Sequence, residues 1–369
     1  MILVNEPDLN GNELKYLTEC IKTNWISSEG SFVKKFESEF AKTVNRKFGI
    51  ALTSGSTALD LALHSLALNK NDEVIVPSFT IISPVASIIR TGAIPVLIDS
   101  NLETWNMNIE DIERKITPKT KAIIIVHIYG LPVDIDPVIQ LAKKYNLTII
   151  EDAAEMHGQT YKGNPCGSFG DISIFSFYPN KHITTGEGGM IVTDNEDIAN
   201  KINSLKNLCF VPERRFVHYE LGWNARFTNL QAAIGLAQLE RLDTFIKRKR
   251  EMGKYYTKKL SHLKSINLPL ERTSYAENIY WVFGILIKPE CSLTADYVIK
   301  KLAKKGIQTR PFFYPMHLQP VFTKMNLFKD EEYENCEIMA NKGFYIPSGL
   351  SLTFQQMDIV IEALEDIFV

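Results

Sequence analysis

The sequence predicts an α/β fold, with a mostly parallel β-sheet between helices and a smaller C-terminal α+β unit. Short apolar runs alternate with stretches of helical periodicity in the first half of the chain, which is typical of β-α-β units. These runs are apolar on both faces, as expected for strands that helices cover on two sides. With 369 residues, 45% of them hydrophobic, the chain is long enough for about two domains.

Five predicted strands form the first part of the sheet. They are rich in Val, Ile and Phe, and they are Phe48–Leu52, Glu73–Val76, Ile94–Ile98, Ala122–His127 and Leu147–Glu151. Helical stretches lie between them, and the clearest are Thr57–Leu68, Ile109–Ile116 and Pro137–Tyr145. In each stretch the apolar residues recur at helical spacing, so they share the face that packs on the sheet.

Two further strands, Ile172–Phe177 and Met190–Thr193, complete a predicted seven-stranded sheet. Only the 12 residues from Tyr178 to Gly189 separate them. A parallel pair needs a longer crossover, which is usually a helix. We therefore expect these two strands to pair antiparallel.

The pattern changes after Asn229, where a long helical stretch runs from Leu230 to about Leu260. A second unit follows, with a predicted strand, a helix, a proline-rich loop and a closing helix at Tyr280–Ile287, Ala295–Lys304, Arg310–Pro320 and Gln355–Phe368. We place a large domain at residues 1–245 and a small domain at residues 246–369.

Composition argues against several functional classes. The 41 Lys and Arg residues nearly balance the 43 Asp and Glu residues, whereas nucleic-acid-binding proteins usually carry a basic excess. The five cysteines are scattered without a C-x-x-C pair, which favours neither disulfides nor a zinc site, so we expect no metal. The N-terminus does not resemble a secretory signal, and no apolar run is long enough for a membrane helix. We expect a cytoplasmic protein.

Lys181 lies in a glycine-rich loop that follows an apolar strand, within FSFYPNKHITTGEGG. Gly186, Gly188 and Gly189 allow the backbone to approach a ligand closely. A partly desolvated lysine amine is suited to Schiff-base chemistry. A solvated loop lysine is the alternative, so the neighbouring segments must decide.

Two other segments support a ligand site. Asp152 ends the run LTIIED, at the carboxyl edge where open α/β sheets gather their ligands. An ordinary helix N-cap explains Asp152 equally well. Gly55, Ser56 and Thr57 begin a helix directly after the first strand, which is a favourable phosphate seat. Neither a G-x-x-x-x-G-K-[ST] loop nor a G-x-G-x-x-G loop is present, so nucleotide hydrolysis and nicotinamide binding lose their main support.

The chain resembles the DegT/DnrJ/EryC1/StrS sugar aminotransferases, a branch of the fold-type I pyridoxal 5′-phosphate (PLP) enzymes. Four segments carry the resemblance: TSGSTAL, IIEDAAEMHG, FSFYPNKHITTGEGGMIVT and RFTNLQAAIGLAQLE. It extends from NWISSEGSFVKKFE to TRPFFYPMH and YIPSG, so it covers nearly the whole chain. Four motifs in the same order are more specific than any one of them.

The resemblance implies roles for individual residues. Lys181 matches the Schiff-base lysine and Asp152 the partner of the pyridine nitrogen. Glu155 falls near the ring hydroxyl. The phosphate contacts that it implies are Gly55, Ser56, Thr57 and Ser176 from the same chain and Asn229 from the other subunit of a homodimer with shared active sites.

Two positions need closer attention. The family usually stacks an aromatic residue on the PLP ring, but Ile81 occupies that place here, with Phe79 as the alternative. Related sugar dehydratases carry His in place of the Schiff-base lysine, and His182 directly follows Lys181. The spacing to TTGEGG favours Lys181, and therefore transamination.

The substrates that the resemblance implies are L-glutamate and a nucleotide-linked 4-keto-6-deoxy sugar. The segments NWISSEG, TRPFFYPMH and LAQLERLD favour GDP-4-keto-6-deoxymannose, and UDP- or dTDP-4-keto-6-deoxyglucose is the alternative. Further alternatives are a PLP-dependent dehydratase and a non-catalytic regulator. The candidate substrate contacts are Trp25, Ser27, Arg310, Tyr314 and His317.

Overall fold

The computed structural model describes residues 1–211 and 213–368. Its strands, in chain order, are β1 (Phe48–Leu52), β2 (Glu73–Pro77), β3 (Ile94–Ile98), β4 (Thr120–Val126), β5 (Thr148–Asp152), β6 (Thr160–Tyr161), β7 (Asn164–Pro165), β8 (Ile172–Ser176), β9 (Gly189–Thr193), β10 (Ile266–Asn267), β11 (Phe283–Ile287), β12 (Arg310–Pro311) and β13 (Gly343–Ile346).

The helices connect these strands and cover them. In chain order they are α1 (Glu13–Lys22), α2 (Ser31–Thr43), α3 (Gly55–Ser65), α4 (Ser83–Thr91), α5 (Ile112–Lys115), α6 (Ile135–Tyr145), α7 (Glu196–Lys206), α8 (Asn229–Leu239), α9 (Leu242–Leu260), α10 (Ala295–Lys304), α11 (Pro320–Lys324), α12 (Glu334–Lys342) and α13 (Phe354–Phe368). Short 3₁₀ helices form at Ile109–Asp111 and Met316–Leu318.

The main sheet has seven strands in the order β1-β9-β8-β5-β4-β2-β3. Strands β8, β5, β4, β2 and β3 run parallel to one another. Strand β9 runs antiparallel to both of its neighbours, β1 and β8. The predicted mostly parallel sheet is therefore confirmed, and so is the antiparallel pairing that the short connection predicted.

Helices cover both faces of this sheet. Alternate strand residues point to opposite faces. Those on one face pack with apolar residues of α3, α4 and α7. Those on the other face pack with apolar residues of α2, α6 and α8. This double burial explains why the strands are apolar at nearly every position.

A second sheet follows, with four strands in the order β10-β11-β13-β12. Apolar residues of α9, α10 and α13 cover it. The N-terminus also joins this unit, because Ile2 forms a parallel bridge with Ile307 and is buried in the same core.

The predicted helix from Leu230 to Leu260 is wrong in one respect, because it is two helices that meet at Glu240 and Arg241. The Arg241 guanidinium donates two hydrogen bonds to the Asp8 carboxylate, at 3.0 and 2.8 Å. The break therefore lies where the N-terminal segment attaches. The predicted strand at Tyr280 begins only at Phe283, because Tyr280 adopts a left-handed φ of 50° that no strand accommodates.

The division into domains at residue 245 stays a prediction. Helix α9 spans that position. The core on the α3 face of the main sheet also includes residues from beyond it, such as Trp281, Phe312 and Met339. Within the described residues, no helix has both the length and the apolar character needed to cross a membrane.

Candidate active site

A cavity of about 340 Å³ opens at the carboxyl ends of β5 and β8. Its volume lies in the range of small-molecule sites, and its place at this edge of the sheet is where such sites form. The predicted residues on its wall are Gly55, Ser56, Ile81, Asp152, Glu155, Ser176 and Lys181. Residues separated by more than 120 positions in sequence therefore meet around one space.

Lys181 lies in a turn that follows β8. Its backbone N–H donates a hydrogen bond to the carbonyl of Tyr178, at 2.9 Å. Its side chain is only 10% exposed, and its Nζ lies 3.9 Å from Oε1 of Glu155. Burial lowers the pKa of the Lys181 amine, and Glu155 and Asp152 oppose that shift. A buried amine with a lowered pKa is a favourable nucleophile and proton carrier.

Asp152 is the last residue of β5 and is almost fully buried. Its Oδ1 accepts a hydrogen bond from the N–H of Ala154 at 3.1 Å. Burial raises the pKa of the Asp152 carboxyl to about 6, against the opposing effects of that hydrogen bond and of Lys181. A cation placed beside this carboxylate would lower the pKa again and form a buried ion pair.

Glu155 lies next to Lys181 and is fixed by its own backbone contact. Its Oε2 accepts a hydrogen bond from the N–H of Tyr129 at 2.6 Å. Burial raises the pKa of the Glu155 carboxyl to about 8, and Lys181 opposes this shift. Near pH 7 the group can therefore act as a hydrogen-bond donor as well as an acceptor.

Two helices direct their N-termini toward the cavity. Ser56 in the first turn of α3 and Ser83 at the start of α4 both line it, and their hydroxyls are hydrogen bonded at 2.7 Å. Gly55 brings the α3 backbone against β8, since a Cβ at this position would lie 2.9 Å from Cβ of Ser176. Free N–H groups and helix dipoles at two N-termini favour an anion.

These residues fit PLP. The helix N-termini and Ser176 suit its phosphate, Asp152 suits its pyridine nitrogen, and Lys181 suits its aldehyde carbon. Among the described residues, Oγ1 of Thr80 and Oδ1 of Asn180 are buried without a hydrogen-bond partner, and both residues line the cavity. Buried polar atoms without partners are rare unless a ligand or water completes them.

His182 is turned away from this cavity. It is 1% exposed, lies near the buried His157 with their ring centroids 6.5 Å apart, and is absent from the cavity wall. Lys181, and not the histidine beside it, therefore presents its side chain to the site. The Schiff-base position is therefore occupied by Lys181, which favours transamination over dehydration.

The predicted contact of Asn229 with a phosphate in the other subunit stays a prediction, and within its own chain the side chain forms hydrogen bonds. Its Oδ1 accepts the N–H of Phe32 at 2.9 Å, and its Nδ2 donates to the carbonyl of Trp25 at 2.7 Å. The side chain is almost fully buried within its own chain. Asn229 therefore fixes, within its own chain, the segment that contains Trp25 and Ser27. Trp25 and Ser27 themselves are exposed and lie off the cavity wall.

Two further predicted cofactor contacts lie off the cavity wall. Thr57 belongs to the helix cap, because its N–H donates to Oγ of Ser54 at 3.1 Å and its hydroxyl bonds the same atom. Phe79 is fully buried and packs against Tyr129, Phe312 and Phe313. Ile81 is half exposed and does line the cavity, so the aliphatic side chain is the one available there.

The predicted C-terminal substrate contacts are divided. Arg310 lines a neighbouring cavity of about 250 Å³, which shares Tyr178, Asn180 and Tyr345 with the first. Tyr314 is half exposed and lies on neither wall. His317 is buried, with Nδ1 2.9 Å from Oγ of Ser78 and Nε2 3.2 Å from Glu337, so it serves packing between elements.

The sequence analysis missed several residues of the cavity wall. They include Ser83, Trp281, Phe313 and Tyr345. The Pro84 that starts α4 is a helix-start signal that could have identified Ser83. Trp281 falls within the predicted strand Tyr280–Ile287. Its position beside Lys181 depends on contacts between segments that are distant in sequence, and no local sequence pattern indicates them.

A family model described as the DegT/DnrJ/EryC1/StrS aminotransferase family matches residues 7–365. A GDP-perosamine synthase from Escherichia coli O157:H7 is 41% identical over 367 residues, covering 100% of this chain and 98% of the relative. A GDP-perosamine synthase from Caulobacter vibrioides is 41% identical over 368 residues, with the same coverage of 100% and 98%.

One solved structure is informative about ligands. A variant of a GDP-4-keto-6-deoxymannose-3-dehydratase with bound GDP-perosamine superimposes with a TM-score of 0.91 at 25% identity. The match covers 99% of this chain and 100% of that one.

Proposed function

This chain belongs to the DegT/DnrJ/EryC1/StrS aminotransferase family, and we propose that it transfers the amino group of L-glutamate to C4 of GDP-4-keto-6-deoxymannose. The product is GDP-perosamine, and PLP is the cofactor. The observation that carries the proposal is the buried Lys181 amine, which lines one cavity with Asp152 and lies 3.9 Å from Glu155. We place the enzyme in the cytoplasm and its product in lipopolysaccharide O-antigen synthesis.

The residues of the chain have separate tasks. When bound, PLP carries the amino group between donor and acceptor and withdraws electrons from the reacting carbon. Lys181 takes and returns a proton at Nζ. The Asp152 carboxylate would pair with the protonated ring nitrogen of bound PLP, and the N-termini of α3 and α4 would hold its phosphate.

Support for the GDP-linked substrate comes from the relatives. Two GDP-perosamine synthases match along the whole chain at 41% identity, and a neighbour in structure holds GDP-perosamine. UDP- or dTDP-4-keto-6-deoxyglucose remains the alternative substrate. A dehydratase is disfavoured because Lys181 lines the cavity and His182 does not.

We also propose a homodimer. Large apolar side chains are exposed between α7 and α8, where Phe216 is 82%, Tyr219 78% and Leu221 90% exposed. Exposed apolar side chains that lie close together in sequence indicate a surface that another protein covers.

The test is a two-step assay with purified enzyme and PLP. We expect L-glutamate to yield 2-oxoglutarate, and the enzyme, after removal of free amino acid, to convert GDP-4-keto-6-deoxymannose to GDP-perosamine, detected by mass spectrometry. Lys181→Ala should lower the rate by at least about 10²-fold, the contribution of a positioned proton carrier.

The control substrates are UDP- and dTDP-4-keto-6-deoxyglucose under the same conditions. Faster amination of either one would replace the GDP-linked substrate and leave the aminotransferase intact. No 2-oxoglutarate from a PLP-loaded enzyme, with any of the three sugars present, would refute transamination itself.

A further inference from the structure

We propose that Trp281 is a positioning residue for the Lys181 amine: it fixes the amine in place and stabilises its proton. The inference rests on the proposed function, because that function makes Lys181 the group that moves the proton. The Lys181 Nζ lies over the Trp281 ring, 3.7 Å from its centroid. An ammonium within about 6 Å of an indole face is attracted to it, more strongly where water is excluded.

The edge of the same ring holds the backbone beside Lys181. Trp281 Nε1 donates a hydrogen bond to the carbonyl of Asn180 at 2.8 Å. Nδ2 of Asn5 donates to the same carbonyl at 3.3 Å. The indole therefore contacts Lys181 twice, through its face at the amine and through its edge at the preceding peptide.

Trp281 is itself held from behind. Lys249, on α9, donates from Nζ to the carbonyl of Trp281 at 2.8 Å and also to the carbonyl of Ser348. The Trp281 ring packs on Tyr129 with centroids 6.0 Å apart, and it is only 3% exposed. A side chain fixed at its backbone, its face and its edge can hold a flexible lysine in one position.

The charged groups around Lys181 have opposing effects. Asp152 and Glu155 favour the ammonium, and burial favours the neutral amine. Burial lowers the pKa values of the imidazoles of His157 and His182, which also sense the charge of Lys181, so both rings are neutral near pH 7. The Trp281 ring adds stabilisation of the ammonium without adding a charge. It therefore tunes how readily Nζ releases its proton.

Substitution of Trp281 separates these contacts. Trp281→Leu removes the ring face and the indole N–H, whereas Trp281→Phe keeps a smaller aromatic face and removes the N–H. Trp105→Leu is the matched control, because Trp105 is also buried, in the Tyr129 and Phe312 cluster, and it does not line the cavity. Circular dichroism and the melting temperature check that each variant folds.

The first readout is PLP uptake by apoenzyme, followed by absorbance across pH, because only the neutral Lys181 amine combines with the aldehyde. Loss of the ring face removes stabilisation of the ammonium, so the pKa falls and the rise of rate with pH moves to lower pH. We expect a shift of about half a unit to one and a half units for Trp281→Leu. The shift for Trp281→Phe should be smaller, because a phenyl face attracts a cation less strongly than an indole face, and Trp105→Leu should keep the wild-type profile.

The second readout is the rate of 2-oxoglutarate formation from glutamate. Loss of the indole hydrogen bond should lower it roughly 2- to 10-fold in Trp281→Phe, whose pH profile should move less than that of Trp281→Leu. Wild-type pH profiles and rates in Trp281→Leu would overturn the inference, as would an equal shift in Trp105→Leu. If Trp281→Leu does not fold, Trp281→Met, which also lacks a ring, takes its place.

Failure of the proposed function is distinguishable from failure of this inference. A protein that takes up PLP but does not accept an amino group from glutamate contradicts the function, whereas the uptake profile still reports the effect of Trp281 on Lys181.

Discussion

Lys249 shows that a lysine can be fully buried without a carboxylate partner. Its Nζ is satisfied by two backbone carbonyls, and burial lowers its pKa from 10.5 to about 7. A buried ammonium without an opposite charge is unfavourable, so the amine tends to lose its proton instead. In this protein the neutral amine still donates the hydrogen bond that holds Trp281.

This lowered pKa predicts how stability depends on pH. Between about pH 7 and 10.5 the unfolded chain binds a proton at Lys249 that the folded chain does not. Stability therefore increases with pH in this window, by at most about 1.4 kcal/mol per pH unit. Lys249→Met should lack this increase. Urea unfolding of both proteins across the window measures the difference.

The control for this prediction is Lys258→Met, an exposed lysine on the same helix. Its unfolding free energy should follow the wild-type curve. Parallel curves for the wild type and Lys249→Met would mean that Lys249 is not deprotonated in the folded state.

At the scale of the element, β5 places two carboxylates on opposite faces of the sheet. Asp152 points to the cavity, and Glu151 points to the other side, as neighbours in a strand do. Glu151 accepts hydrogen bonds from the N–H groups of Gly167, Phe169 and Gly170, at 2.5, 3.0 and 3.1 Å. One strand end therefore presents a site residue and fixes the loop that leads into β8.

The rest of the Glu151 network joins β4 and β8. His127 Nε2 lies 3.1 Å from Oε1 of Glu151, and the Ser173 hydroxyl donates to Oε2 at 2.9 Å. The His127 Nδ1 accepts the N–H of Val133, which assigns the ring proton to the nitrogen that faces Glu151. Burial alone would raise the pKa of Glu151, but these donors lower it.

Glu151→Gln should therefore destabilise the protein strongly. Gln supplies one acceptor oxygen and turns an N–H₂ group toward donors, so buried N–H groups lose their partner. We expect a loss of roughly 3 to 5 kcal/mol at pH 7, measured by chemical denaturation. Because the pKa of Glu151 is lowered on folding, its contribution is present above about pH 4.5 and is lost as the pH falls.

The comparison variant is Glu113→Gln, which removes an exposed ion pair with Lys144. Exposed pairs contribute little, so its stability should stay near that of the wild type. Similar losses in the two variants would show that the Glu151 network is not a special feature of β5.

The elements that sequence predicted well are those whose pattern is local. Strands Phe48–Leu52 and Ile94–Ile98 and helix Ala295–Lys304 were predicted at their observed bounds. These two strands contain no polar residue, so the change from apolar to polar sequence shows where each strand begins and ends. The break at Arg241 was missed because it depends on a contact with Asp8, far away in sequence.

The same distinction applies to the site. Lys181 and Asp152 follow apolar strands, so their approach at one sheet edge could be predicted. The place of Trp281 depends on the second sheet, on Lys249 and on a left-handed Tyr280, none of which leaves a short motif. Asn229 was assigned by resemblance alone, and its contacts to Phe32 and Trp25 were not visible in the motif.

At the scale of the whole molecule, the two sheets share one aromatic cluster. Phe312 contacts Trp105 and Tyr129 with ring centroids 5.1 and 4.8 Å apart. The cavity draws its wall from both parts, since Lys181 follows the main sheet and Tyr345 belongs to β13. The aromatic packing between the two sheets therefore contributes to the relative placement of Lys181 and Tyr345.

The proposed homodimer extends this reasoning to two chains. The exposed residues Phe216, Tyr219 and Leu221 belong to the segment that leads into α8. In the same segment, Arg226 forms an antiparallel β-bridge with Leu52, at the end of β1. The proposed phosphate site begins at Gly55, three residues after Leu52 in the sequence. Exposed apolar side chains on this segment are suited to a subunit interface.

Sedimentation velocity tests the dimer. We expect the wild type to sediment as a dimer at micromolar concentration and Phe216→Ser with Leu221→Ser to weaken the association by at least about 10-fold, because burial of two large apolar side chains contributes roughly 1.5 to 3 kcal/mol each. The matched control is Leu14→Ser, since Leu14 is 78% exposed on α1 at a distance in sequence from this segment. A wild type that stays monomeric would refute the dimer. Equal weakening by Leu14→Ser would place the interface elsewhere.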